Sequence, residues 1–182
     1  QLMFKYKKRL IEKKLKELFT YYPVVAVLGA RQFGKSTLVE NLFSDVINTT
    51  VFDPVVDIGN ARQDPDFFLQ NINTPAFLDE IQYAPELLGS IKRKVDREKR
   101  NSLFILSGSE NLMVLKDISE SLAGRVAILN LWPMSQSEVQ NKVTDKPTKG
   151  FLEKWLSGTD YKYDTSPLQS QATFPAVWQG GY

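Results

Sequence analysis

Pro23-Val24-Val25-Ala26-Val27-Leu28 runs directly into Gly29-Ala30-Arg31-Gln32-Phe33-Gly34-Lys35-Ser36-Thr37, and this join decides the fold. The first six residues form a continuous Val-rich apolar run, the pattern of a strand buried on both faces. The next eight, 29–36, fit the phosphate-binding loop: Gly, four residues, then Gly-Lys-Ser. Glycine lets the backbone wrap an anion so that successive N–H groups face it. Leu38, Val39, Leu42 and Phe43 then recur at helical spacing, so a helix is expected from Lys35 to about Phe43, with its positive end at the anion. In such a loop Lys35 brings a point charge to the β- and γ-phosphates, and the Ser36 hydroxyl ligates Mg²⁺. Residues 29–37 are therefore the candidate nucleotide-binding set. Arg31 and Gln32 are as well placed to meet another domain as to meet nucleotide.

Working outward, strands and helices alternate. A second strand is expected at 47–53, ended by Asp53-Pro54. A short helix follows Asp64-Pro65-Asp66. Ala76-Phe77-Leu78-Asp79-Glu80 is an apolar run closed by two acids, and Ala84-Pro85-Glu86 opens a further helix with Leu87, Leu88, Ile91 and Val95 inward. Buried strands are expected at 102–106 and 125–129. Alternation of this kind predicts an α/β fold with a parallel sheet, helices on both faces and right-handed crossovers.

Before the loop strand, Phe4, Ile11, Leu15, Leu18 and Tyr22 mark one face of a helix over residues 1–22. Residues 1–20 carry seven basic side chains against Glu12 and Glu17, a net of +5 within a chain total of +2. The basic face suits either a nucleic-acid or acidic membrane surface, or simply solvent. A nucleic-acid partner would bind in a salt-dependent way and be lost on neutralising Lys13, Lys14 and Lys16. Residues 23–141 read as the core. A helix is expected at 135–139, and residues 142–182 read as a connector and the start of a further region, with a helix expected at 151–156 and irregular chain at 161–181. The opening on Gln1 and the close on Gly180-Gly181-Tyr182 suggest a segment cut from something larger.

Cys and His are both absent. Disulfide chemistry and Ser-His-Asp or Cys-His catalysis are thereby excluded, and carboxylates remain as bases and metal ligands. A cytoplasmic setting is expected, and no apolar run approaches the length of a membrane span. Asp79, at the carboxyl end of a buried strand, lies where open α/β sheets bind ligands and is the candidate Mg²⁺ ligand beside Ser36. Glu80 is the candidate to orient water or take its proton. Ser107 or Ser109, with Asn111 a weaker candidate, either senses the γ-phosphate or merely forms a turn. Arg125 either stabilises transition-state charge, in its own subunit or a neighbour's, or pairs with a surface acid. Tyr21, Tyr22 or Arg9 could reach a base.

The same order of motifs occurs in a known group: Gly-Ala-Arg-Gln-Phe-Gly-Lys-Ser-Thr, Phe-Leu-Asp-Glu-Ile-Gln-Tyr-Ala-Pro-Glu-Leu-Leu, Phe-Ile-Leu-Ser-Gly-Ser, Ser-Leu-Ala-Gly-Arg-Val and Leu-Trp-Pro-Met-Ser. From about Arg9 to Glu138 the sequence resembles the N-terminal ATPase domain of prokaryotic AAA+-superfamily proteins that carry a C-terminal domain of unknown function. The resemblance implies a three-layer P-loop fold with a five-stranded parallel sheet in the order fifth-first-fourth-third-second. It implies ATP as nucleotide and Mg²⁺ as metal, with Lys35, Ser36 and Asp79 holding phosphate and metal and Glu80 as catalytic carboxylate. It also implies a C-terminal domain as partner, entered near Gly180-Gly181-Tyr182. Phe33 replaces the small β-branched residue more usual in the group, and Asp53 and Asp57 are assigned no role. A homo-oligomer would decide whether Arg125 works in cis or in trans. Three functions fit: an ATPase driving conformational change, a nucleotide switch with negligible hydrolysis, and a nucleic-acid-associated motor or defence component.

Overall fold

A computed structural model of the chain describes residues 6–45, 47–109 and 111–141, with Val143 and Leu156 as isolated positions. The chain divides into two compact units, Gln1–Trp132 and Pro133–Tyr182. In the first unit the order is α1 (Glu12–Tyr21), β1 (Val24–Leu28), α2 (Lys35–Phe43), β2 (Asn48–Val51), α3 (Pro65–Gln70), β3 (Ala76–Asp79), α4 (Leu87–Glu98), β4 (Phe104–Gly108), α5 (Leu112–Ser121) and β5 (Val126–Asn130). The second unit contributes α6 (Gln136–Val139), opened by a capping box in which Ser135 and Glu138 satisfy each other's backbone N–H groups. The helix expected at 151–156, apart from Leu156, and the stretch at 161–182 lie outside the described residues.

The five strands form one parallel sheet in the order β2-β3-β4-β1-β5, the expected order read from its other edge. β1 is central, with Val24 opposite both Phe104 and Val126 and Leu28 opposite both Gly108 and Asn130. Successive side chains of a strand face opposite ways, and β1, β3, β4 and β5 each feed two cores, while β2 is an exposed edge strand. Val24, Ala26 and Leu28 join Leu78, Phe104 and Leu106 in a cluster covered by Leu69, Leu87, Ile91, Ile118 and Leu122. Val25 and Val27 join Phe77 and Ile105 on the other face, under Leu15, Phe19, Leu38 and Val39. The result is three layers: α1 and α2, the sheet, then α3, α4 and α5.

The strands that differ most from their expected limits are β4 and β2. β4 begins at Phe104 rather than 102, because Ser102 takes a left-handed φ of 59° and its hydroxyl donates to the Phe19 carbonyl at 2.7 Å. It extends instead through Ser107 and Gly108, poor strand formers kept in register by pairing with Val27 and Leu28. β2 stops at Val51. The chain then turns on the Asp53 carboxylate, which accepts from the Val55 and Val56 amides at 2.7 and 2.9 Å. Asp57 likewise accepts from the Arg62 amide at 2.9 Å. Both acids shape the loop.

Leu106 is fully buried on the central sheet; Leu106→Ala should cost about 2–5 kcal/mol in urea unfolding. At the amino edge of the sheet, the Arg125 guanidinium beside Asp96 holds that carboxyl below its ordinary 3.8. The depressed value means the pair stabilises the fold above about pH 4 and ceases to do so as pH falls through the lowered folded value. Thermal unfolding of Arg125→Ala should therefore differ from that of the unsubstituted chain at neutral pH, with the difference closing in strong acid.

Candidate functional site

The parallel register brings the carboxyl ends of β1, β3 and β4 to one edge, and the loop at 29–34 springs from that edge. Two of its glycines are required by geometry. A Cβ on Gly29 would lie 2.5 Å from the Leu131 carbonyl oxygen, closer than atoms can approach. Gly34 opens α2 at φ 83°, ψ 30°, a left-handed conformation that costs other residues roughly 1–2 kcal/mol. Gln32 is also left-handed, at φ 66°. The side chains of Arg31, Gln32 and Thr37 are exposed, and Arg31 donates to the Tyr83 hydroxyl. Phe33 packs against the α1–α2 core, which explains why a large residue is tolerated there.

Lys35 is only 4% exposed. Its ammonium donates to the carbonyl oxygens of Gly29 at 2.9 Å and Ala30 at 3.1 Å, so it lies folded across the loop it belongs to. Next to it, the Ser36 hydroxyl donates to Asp79 Oδ2 at 2.6 Å. Asp79 closes β3 and is buried, and its Oδ1 accepts from the Ser107 hydroxyl of β4. Ser107 Oγ in turn accepts from the Glu80 amide at 3.1 Å. Ser107 is thus a fully buried brace between two strands rather than a group facing the loop.

Glu80 takes a left-handed conformation, φ 58°, ψ 47°, and stays partly exposed. Its Oε2 accepts from the Gln82 carboxamide, whose Oε1 accepts from the Ser109 amide at 3.4 Å. Ser109 therefore follows β4 at the same edge, joined to Glu80 through Gln82. Asn111 is occupied elsewhere: its side chain caps α5 by accepting from the Met113 amide at 2.9 Å.

Arg125 is not brought to this site. It precedes β5, and its carbonyl accepts from the Val24 amide at the start of β1. The loop leaves the other end of β1, four strand steps or about 13 Å away. Its guanidinium pairs with Asp96 at 2.6 and 3.0 Å and with the Ala123 carbonyl at 2.8 Å, and Asp96 holds its pKa above the usual arginine value. A parallel strand presents its preceding residue to the edge opposite the ligand edge, so pairing with a surface acid prevails. Tyr21 and Tyr22, where α1 runs into β1, share that far edge.

Two residues at the near edge carried no sequence signal for the positions they hold. Arg9, three residues before α1, donates to the Phe33 carbonyl at 3.0 Å and the Trp132 carbonyl at 2.6 Å, so its guanidinium is engaged with the loop backbone. Gln82 holds Glu80. Their partners are backbone groups or a neighbouring side chain, which leave no periodicity to read. The basic face of α1 is exposed at Lys13, Lys14 and Lys16, while Leu15 and Phe19 pack on the core.

Ser36 and Asp79 offer two converging oxygens, a donor set that suits a hard cation completing its shell with phosphate and water. Among the described residues no group of three or more Asp and Glu side chains forms a metal cage, and no helix is long and apolar enough to cross a membrane.

Comparison with known proteins agrees with this fold. Over 161 residues the chain is 29% identical to an uncharacterized protein of Mycobacterium bovis and to one of Mycobacterium tuberculosis. The match takes in 88% of this chain but 34% of each relative, so the chain spans about a third of the length of these curated relatives. Among solved structures, a Walker-type ATPase of Pyrococcus abyssi superposes with a TM-score of 0.54 at 20% identity, over 75% of this chain and 57% of that one. That likeness shows a shared P-loop ATPase fold. Residues 21–140, well over half of the 182, match the AAA domain family, and with its five-stranded parallel sheet and loop the chain belongs to that family of AAA-type ATPase domains.

Proposed function

We propose that this domain binds ATP with Mg²⁺ and hydrolyses it, coupling turnover to conformational change in an attached domain or partner in the cytoplasm. One observation carries the reading: the Ser36 hydroxyl meets the Asp79 carboxylate at 2.6 Å, with the Lys35 ammonium beside them on the loop. Lys35 would exchange the Gly29 and Ala30 carbonyls for β- and γ-phosphate oxygens, its flexible stem allowing the swing. Backbone N–H groups of the loop and the first turn of α2 would hold the remaining phosphate oxygens. Ser36 and Asp79 would hold Mg²⁺, which supplies charge neutralisation at the phosphates when bound. Glu80 would orient the attacking water and accept its proton as the water oxygen bonds to the γ-phosphorus and ADP departs. Ser109, whose amide reaches Gln82, would line the γ-phosphate position.

A second reading, a nucleotide switch with negligible turnover, draws on the engagement of Glu80 by Gln82, which occupies one oxygen of the proposed base. Phosphate release separates the two. Glu80→Gln should lower kcat about a hundred- to ten-thousand-fold while ATP still binds; equal, slow release with and without the substitution would sink the hydrolytic reading.

Lys35→Ala should weaken ATP affinity by roughly ten- to a hundredfold in calorimetry, the value of one charge-assisted hydrogen bond. Arg125→Ala should leave affinity and turnover unchanged in dilute protein. A loss of turnover confined to concentrations at which copies associate would place Arg125 in a neighbour's site.

A further inference from the structure

Arg9 belongs to none of the chemistry assigned above, yet it is buried to within 4% exposure at the edge of the phosphate loop. Its two terminal nitrogens separate two jobs. Nη1 donates to the carbonyl of Phe33, the loop residue before Gly34, and Nη2 donates to the carbonyl of Trp132. Trp132 is the last residue of the first compact unit and follows β5.

Two more contacts join the same pair of segments. The Leu131 amide donates to the Leu28 carbonyl at 2.7 Å, continuing the β1–β5 ladder beyond the strands. Gly29 lies so near the Leu131 carbonyl that only hydrogen fits between them. The loop is therefore fastened to 131–132 at both ends, by backbone where it begins and by Arg9 where it finishes.

The chemistry of the guanidinium suits this. Its donors are fixed in one plane, so one side chain can hold two carbonyls at a set separation, whereas a lysine ammonium is a point on a flexible stem. By engaging the Phe33 carbonyl, Arg9 constrains the orientation of the peptide that leads into Gly34, and anion binding by loop N–H groups depends on peptide orientation.

Resting on the ATP reading, we infer that Arg9 is a positioning residue that couples occupancy of the phosphate loop to residues 131–132, where the chain leaves the sheet. Phosphate that draws Lys35 off the Gly29 and Ala30 carbonyls releases the loop backbone to shift, and the Arg9 bridge passes that shift to the Trp132 peptide. A ligand moves an equilibrium only through its own contacts that differ between two states; here those are the phosphate contacts of Lys35 and the loop amides, and the bonds from Arg9 to Phe33 and Trp132 carry the shift onward.

Trp132 reports directly, since its ring is 61% exposed and the chain's three tryptophans reduce to one in a Trp155→Phe, Trp178→Phe background. In that protein, titration with ATP and Mg²⁺ should change Trp132 fluorescence with the midpoint seen by calorimetry. Adding Arg9→Lys should lower affinity about tenfold and abolish the fluorescence change even at saturation. Against a folding defect in that variant, hydrogen exchange at the Leu131 amide of the unsubstituted chain should slow when ATP binds. Calorimetric binding with neither response, or a full fluorescence change retained by Arg9→Lys at saturation, would overturn the coupling while leaving ATP binding intact. No calorimetric binding to the unsubstituted chain would instead overturn the ATP reading and the coupling with it.

Discussion

The buried carboxylate of Asp79 is the constraint around which this edge of the sheet is arranged. A charge removed from water must have its lone pairs satisfied or the fold loses several kcal/mol. Here the donors are two hydroxyls from different elements, Ser36 in the first turn of α2 and Ser107 inside β4. Because Asp79 itself ends β3, one side chain fixes a helix and two strands relative to one another. The position of the loop follows, since Ser36 is the residue after Lys35 and α2 opens where the loop ends. Ser107 is used twice, its oxygen also accepting the Glu80 amide, so the peptide that turns the chain out of β3 is held by the same group.

Backbone strain is also present at this edge. Gln32, Gly34 and Glu80 all adopt left-handed conformations, and for the two that are not glycine this costs roughly 1–2 kcal/mol each. Such residues persist where surrounding contacts over-determine them. For Glu80 those contacts are the Ser107 oxygen on its amide and Gln82 on its carboxylate. The left-handed turn ends β3 and turns the chain into the short turn at 81–83, which brings Gln82 back to the Glu80 carboxylate.

Much of this was legible before any coordinates. Val-rich residues 23–28 against the glycine-bounded loop fixed the nature of the central strand, because burial on both faces leaves no polar alternation. The sheet order came from resemblance, since apolar runs carry no information on which neighbour they pair with. The limits of β4 were misread because Ser107 and Gly108 have little strand propensity of their own, and tertiary pairing with β1 overrides it. For Arg125 the residues alone leave transition-state charge and a surface acid both open. In a parallel sheet the order of residues along a strand also says which edge each one reaches, and a residue preceding β5 goes to the amino edge. Arg9 stands among the candidates for reaching a base, but its bonds to the loop and to Trp132 were not legible, because these acceptors are backbone carbonyls 24 and 123 residues away, and a carbonyl has no sequence identity.

The adjacent acids Asp79 and Glu80 are distinguished by surroundings rather than by type. Asp79 has both oxygens engaged by hydroxyl donors within a buried strand end, so its geometry is rigid. That suits a group that fixes a position, and because one hydroxyl on each oxygen leaves further lone pairs, a cation displacing the Ser36 proton from the line between the two oxygens would keep both as ligands. Glu80 follows a reversal of backbone handedness, is partly exposed, and is engaged by a neutral carboxamide on one oxygen only. The partner of Glu80 is a side chain two residues on that can release it without breaking the sheet. On the proposed reading the division of labour between the two acids therefore follows from where β3 stops, with Asp79 its last residue and Glu80 the first beyond it.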